Sequence, residues 1–175
     1  MRLNVVQGVP DAKGCLRMNA LTIAQESPNQ PDIIALLDAS DQYHAALYPS
    51  ESNHLVGIDG LMTPESRFLV ARSRDGQALG CGALLLSEDT GIVTAELKRM
   101  WVDPATRGSG LGGRLLDALQ SAAIQEGASV LRLETGINQP EAIGLYRASG
   151  FLERGPFGSY VADPLSIFME KAVNG

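Results

Sequence analysis

The sequence predicts an α/β fold, a single domain with a mixed, mostly antiparallel sheet flanked by helices. Three observations lead there. Apolar and alternating runs follow one another in the order β-α-β-β-β-α-β-α-β-β. Turn signals separate the middle strands. At 175 residues, with 45% hydrophobic and 19% charged residues, the chain is long enough for one real core, and no second domain is expected.

The elements can be justified in order. Leu21 to Gln25 is an apolar, strand-like run, and the cluster Ser27-Pro28-Asn29-Gln30-Pro31 breaks it. Pro31 followed by Asp32 suits a helix start. Ile33, Ile34, Leu36, Leu37 and later Tyr43, His44 and Leu47 recur at helical spacing, in one helix or two pieces ending near Tyr48-Pro49. Phe68 to Ala71 and Ala78 to Leu86 read as antiparallel strands joined at Arg74-Asp75-Gly76-Gln77. Ser87 to Gly91 turns the chain into a strand from Thr94 to Val102. Strict alternation there would put Glu96, Lys98 and Met100 on one face and Leu97, Arg99 and Trp101 on the other. A helix follows from Gly110 to about Glu126, with Leu111, Leu115, Leu119 and Ala122 as its apolar stripe. Val130 to Glu134 is a strand, Pro140 opens a helix stopped by Gly150, and Phe151 to Glu153 and Ile167 to Lys171 close the sheet. Met1 to Arg17 is expected to be an extension outside the fold, with the domain spanning residues 18–175.

Composition narrows the function. A net charge of −6 argues against nucleic acid as a partner, because phosphate backbones require clustered Lys and Arg; it suits a cationic or amine-bearing one. No apolar run approaches the roughly 20 residues of a membrane span, and no secretory signal pattern opens the chain. Cys15 and Cys81 are too few for a disulfide framework or a metal cluster, so no metal is expected, and a reducing, cytoplasmic setting is. Cys81, between Gly80 and Gly82, reads as a small buried hydrophobe.

The most informative stretch is Arg107-Gly108-Ser109-Gly110-Leu111-Gly112-Gly113, after a strand and at a helix start. A glycine-rich turn there points bare amides and the positive helix end at an anion, and Arg107 adds a full charge. The P-loop pattern fails, since Arg114-Leu115 stands where Lys and Ser or Thr are needed. The dinucleotide pattern matches literally at Gly108, Gly110 and Gly113, with Glu134 about twenty residues on. Against that reading, Asp103 to Arg107 intervenes between strand and turn, and only about forty residues follow Glu134, too few for the rest of such a domain. An NAD-binding enzyme stays as an alternative.

The same turn also reads as R-x-x-G-x-G, preceded by the strand Glu96 to Val102 and followed by Ala142-Ile143-Gly144-Leu145-Tyr146-Arg147-Ala148-Ser149-Gly150-Phe151, which is similar to A-x-x-L-Y-x-x-x-G-F. In this order the chain resembles the GNAT family of N-acetyltransferases, from about Arg67 to Lys171. The resemblance implies a GNAT-like fold, acetyl-CoA as co-substrate and a small-molecule amine as acceptor, attacked directly in a ternary complex. A homodimer is its implication for assembly. It also implies that Arg107, Gly108, Ser109, Gly110, Leu111, Gly112 and Gly113 grip the pyrophosphate. Met100, Trp101 and Val102 fall where the family splays two central strands and offers main-chain groups to the pantetheine and thioester.

Glu96 is then the expected general base, direct or through water; the competing reading is a surface carboxylate paired with Lys98. Tyr146 is the expected general acid or a contact to the cofactor thiol, against a ring that only packs. Gln139 stands seven residues before it, where many members of the family have an asparagine that contacts the cofactor. Glu51, His54 and Tyr160 are expected at the acceptor site. The alternative from another class is a non-catalytic acyl-CoA-binding or regulatory module.

Overall fold

The structure, a computed structural model, describes residues 21–173, so the expected extension over residues 1–17, Cys15 included, lies outside the described residues. The strands are β1 (Thr22–Gln25), β2 (Ser66–Arg72), β3 (Ala78–Asp89), β4 (Ile92–Val102), β5 (Val130–Gly136), β6 (Leu152–Arg154) and β7 (Ser166–Ala172). The helices are α1 (Pro31–Leu47), α2 (Ile58–Leu61), α3 (Leu111–Gln125) and α4 (Pro140–Ala148). The strands form one sheet in the order β1-β2-β3-β4-β5-β7-β6, and every neighbouring pair is antiparallel except β4 with β5. That parallel pair is the one joined through a helix, α3, as parallel strands require.

Each face of the sheet is covered. On one, Leu115, Leu116 and Leu119 of α3 pack with Leu84, Leu97, Leu131 and Leu133. On the other, Ile33, Leu36 and Leu37 of α1 pack with Phe68, Val70, Cys81 and Trp101. The α1 periodicity resolves as a single helix, and the buried stripe of α3 takes in Leu116 and Ala123, with Ala122 only partly covered. The β3–β4 hairpin is longer than the sequence suggests. Its loop is only Thr90-Gly91, both left-handed, and Asp89 pairs with Ile92.

Strict alternation in β4 is not what the structure shows. Ala83 pairs with Lys98 and Cys81 with Trp101, so Gly82 faces two residues, Arg99 and Met100. Arg99 takes up the extra length in a left-handed conformation, φ 55°. This β-bulge flips the parity of the strand. Met100 therefore packs into the α3 core, while Arg99 reaches α1, where it donates to Asp41 and to the Leu37 carbonyl. Just before the bulge the β4–β5 ladder ends. It runs from Thr94 with Val130 to Leu97 with Leu133, and the remainder of both strands diverges into a wedge.

Cys81 is fully buried beneath this bulge, its thiol directed at the Arg99 carbonyl at 3.5 Å. Burial pushes the thiol up to about 12, so the thiolate that alkylates is essentially absent near neutrality. Peptide mapping after iodoacetamide at pH 8 is expected to find Cys81 unmodified in the native protein and fully modified in denaturant. Native-state labelling would contradict this packing.

Candidate active site

The glycine turn is built from conformations that side-chain-bearing residues avoid. Gly108 and Gly110 both lie at positive φ, 78° and 81°, and Gly110 is the N-cap of α3. Between them Ser109 closes the turn by donating to the Thr106 carbonyl at 2.5 Å. The first bond into the helix runs from the Arg114 amide to the Gly110 carbonyl. The amides of Leu111, Gly112 and Gly113 are thus the orphan donors of a helix start, aligned with its positive end. The Arg107 guanidinium lies elsewhere. It stacks over Trp101 at 4.7 Å and Tyr43 at 5.5 Å, on the α1 side, so what Arg107 gives the turn is backbone.

The wedge between β4 and β5 is a cavity. Leu97 to Met100 line one wall and Glu134 to Gly136 the other. From above come Ser40, His44 and Tyr48, with the segment from Ser52 to Leu55; Gln139 and Tyr146 of the α4 region complete it. Tyr48 ties these parts together. Its hydroxyl accepts the Asn138 amide at 3.0 Å and the Gln139 side-chain amide at 3.4 Å, and its ring lies so close over Gly136 that no Cβ would fit there. Tyr146 is buried against Phe151, and its hydroxyl makes no hydrogen bond among the described residues. Burial, with the Glu134 charge adding to it, pushes this phenol far above its ordinary value.

Behind one wall sits a charged cluster. Tyr160, from the β6–β7 loop, donates to Glu96 at 2.5 Å. The Lys98 ammonium lies 3.2 Å from the same carboxylate oxygen, and it donates to the His54 carbonyl at 3.1 Å and to the Tyr160 hydroxyl. Burial, then the bond to Glu96, drives the Tyr160 phenol well above its usual range. Glu96 does not line the cavity; Glu134 does, and it is the one carboxylate that does so among the described residues. Glu134 is oriented by the Ser166 hydroxyl, which donates to it at 2.6 Å.

A family model for the Acetyltransferase (GNAT) family matches residues 32–151. The chain belongs to the GNAT acetyltransferases. The IAA acetyltransferase of Azospirillum brasilense is 49% identical over 154 residues, which is 88% of this chain and 99% of that protein. A Klebsiella pneumoniae structure assigned to the acyl-CoA N-acyltransferases is 40% identical with a TM-score of 0.74, covering 88% of this chain and 98% of that one. An aminoglycoside 6'-N-acetyltransferase solved with coenzyme A shares the fold, at 18% identity and a TM-score of 0.65 over 88% and 98% of the two chains.

As a GNAT acetyltransferase, the chain has the parts an acyl-CoA needs. The free amides from Leu111 to Gly113 suit a pyrophosphate, and the β4 main chain beyond Leu97, released from β5, suits an extended thiol arm. Of the expected residues, Met100, His54, Gln139 and Tyr146 meet at the cavity, with Tyr160 beside it. Others do not. Trp101 is turned into the α1 core, Leu111 is buried at the start of α3, and Glu51 is exposed on a 3-10 turn, bonded by Ser50. Glu134 had a signal in the sequence, but one that pointed to a dinucleotide ribose. Lys98 and Tyr48 had none beyond a neighbouring charge and a helix end.

Proposed function

We propose that this enzyme transfers the acetyl group of acetyl-CoA to a primary amine of a small molecule, by direct attack within one ternary complex in a cytoplasmic setting. The observation that carries the reading is the β4–β5 wedge, which Glu134, Tyr146 and the released β4 main chain line together. The names of the relatives support acetyl transfer, and the turn amides support the cofactor. Acetyl-CoA, when bound, supplies an acyl group activated as a thioester. A lysine-like amine has a pKa near ~10.4 and is almost wholly protonated at pH 7, so a base must free its lone pair.

Glu134 is that base: its carboxylate takes the proton from the ammonium. Glu96, the base expected from the sequence, is held by Lys98 and Tyr160; it positions those two, which wall the acceptor. Tyr146 stays neutral because of its burial, and serves as a fixed hydrogen-bond donor at the leaving sulfur. A phenol whose affinity for its proton is raised is a poor source of that proton, so the role is narrower than general acid. As the C–N bond forms and the C–S bond breaks, the coenzyme A sulfur departs as thiolate and takes up the proton that the new amide nitrogen loses. Cys81 is sealed away from the cavity, which leaves it no part as an acyl carrier.

The test is free-thiol release from acetyl-CoA over a panel of amines. The expected result is turnover with at least one, and a fall in kcat of about 10²-fold in Tyr146→Phe with coenzyme A affinity retained, the usual scale for one preorganised donor. Coenzyme A binding without turnover on any amine would favour the non-catalytic module. Binding of NAD and not coenzyme A would overturn both.

A further inference from the structure

We propose that the acceptor is a small amino carboxylate, bound with its ammonium at Glu134 and its carboxylate at Arg99. This rests on the acetyl-transfer reading and names the substrate class for it. Three cavity side chains carry or border full charges, and their partners differ. The Lys98 ammonium has three N–H groups and three oxygen partners within the protein: the His54 carbonyl, the Tyr160 hydroxyl and Glu96. It has nothing left for a ligand.

Arg99 differs. Its side chain is 3% exposed, yet among the described residues only two of its five N–H groups have partners, one donating to Asp41 and one to the Leu37 carbonyl. Its Nε is buried with no partner among the described residues. An unsatisfied buried donor is costly, and more so on a charged group. Asp41 relieves this only in part, because it sits half-exposed at the edge, 49% accessible. Arg99 also stands in a strained, left-handed conformation, and such strain collects at functional sites. The bulge that imposes it brings Arg99 to the cavity wall on the α1 side, away from the α3 core.

A guanidinium with free N–H groups matches the planar fork of a carboxylate. Glu134 faces the same cavity as its only lining carboxylate among the described residues. A ligand with an anionic and a cationic end satisfies both. A plain alkylamine leaves the remaining Arg99 N–H groups without an acceptor, and a plain carboxylate brings no nucleophile.

The experiment compares amino acids, both α-amino acids and a series of ω-amino acids, with the amines obtained by removing only their carboxylates. Thiol release from acetyl-CoA gives kcat/KM for each pair, and calorimetry on the enzyme–coenzyme A complex gives binding without turnover. At least one amino acid is expected to exceed its decarboxylated partner by tenfold or more in kcat/KM. In Arg99→Gln the ratio is expected to fall to within twofold of one, with partial recovery in Arg99→Lys. A wild-type ratio at or below one for every pair overturns the proposal, and that comparison suffices should Arg99→Gln not fold. A folded Arg99→Gln that weakens both partners equally overturns it too. If no acceptor turns over but amino carboxylates bind in an Arg99-dependent way, the substrate class stands and the acetyl-transfer reading falls; if they neither react nor bind, the class falls.

Discussion

Glu134→Gln is expected to lower kcat/KM by about 10²- to 10⁴-fold, the range over which a positioned base contributes, with coenzyme A binding and the unfolding temperature unchanged. Gln keeps the size and the hydrogen bond from Ser166 and removes only the basic lone pair. The comparison is Glu96→Gln. That change leaves Lys98 and Tyr160 without their shared anion, so its effect should fall mainly on the acceptor KM, with a smaller loss in kcat. The split between kcat and acceptor KM separates the two, with the larger loss of kcat in Glu134→Gln. The reverse pattern would return the base to Glu96.

Gly136→Ala is expected to be the most damaging glycine-to-alanine change among the described residues. A Cβ there would stand 2.0 Å from the Tyr48 hydroxyl and 2.1 Å from the ring carbon that bears it. Tyr48 is 6% exposed and fixed at the end of α1, so it has little room to retreat. Retreat would also break its bond to the Asn138 amide. Overpacking costs ~1–3 kcal/mol, and a buried donor left unpaired a further ~1–3 kcal/mol. For about 3 kcal/mol in all, a domain of this size should melt roughly 6–12 °C lower. The acceptor KM should rise as well, because Tyr48, Gly136 and Gln139 all line the cavity. A Tm within about 2 °C of wild type would show that Tyr48 does not rest on Gly136.

The parts legible in the sequence are those written in local spacing. The anion turn stands in its own letters, and the element order came from apolar periodicity and turn residues. The A-x-x-L-Y-x-x-x-G-F segment marked α4 and Tyr146. What was not legible depends on pairing between strands. From Thr94 to Lys98 polar and apolar letters alternate, the pattern breaks at Lys98-Arg99, and only the register against β3 reveals that Arg99 and Met100 share one partner. The expectation for Glu96 came from the family resemblance, which places a glutamate at that point of the strand. A carboxylate's place on a strand does not say which other side chains will stand between it and a ligand. Likewise Gly136 looks unremarkable beside Thr135 until α1 brings Tyr48 over it, a contact between distant segments that no window of sequence contains.

The surplus residue in β4 has a wider consequence. A chain one residue shorter at that point could keep β4 in step with β3, and nothing would then turn Arg99 toward α1. The fold thus tolerates a flaw in its most central hairpin, at the edge of the cavity between β4 and β5. Selection for a more perfect barrier against unfolding would act on the same position in the opposite direction.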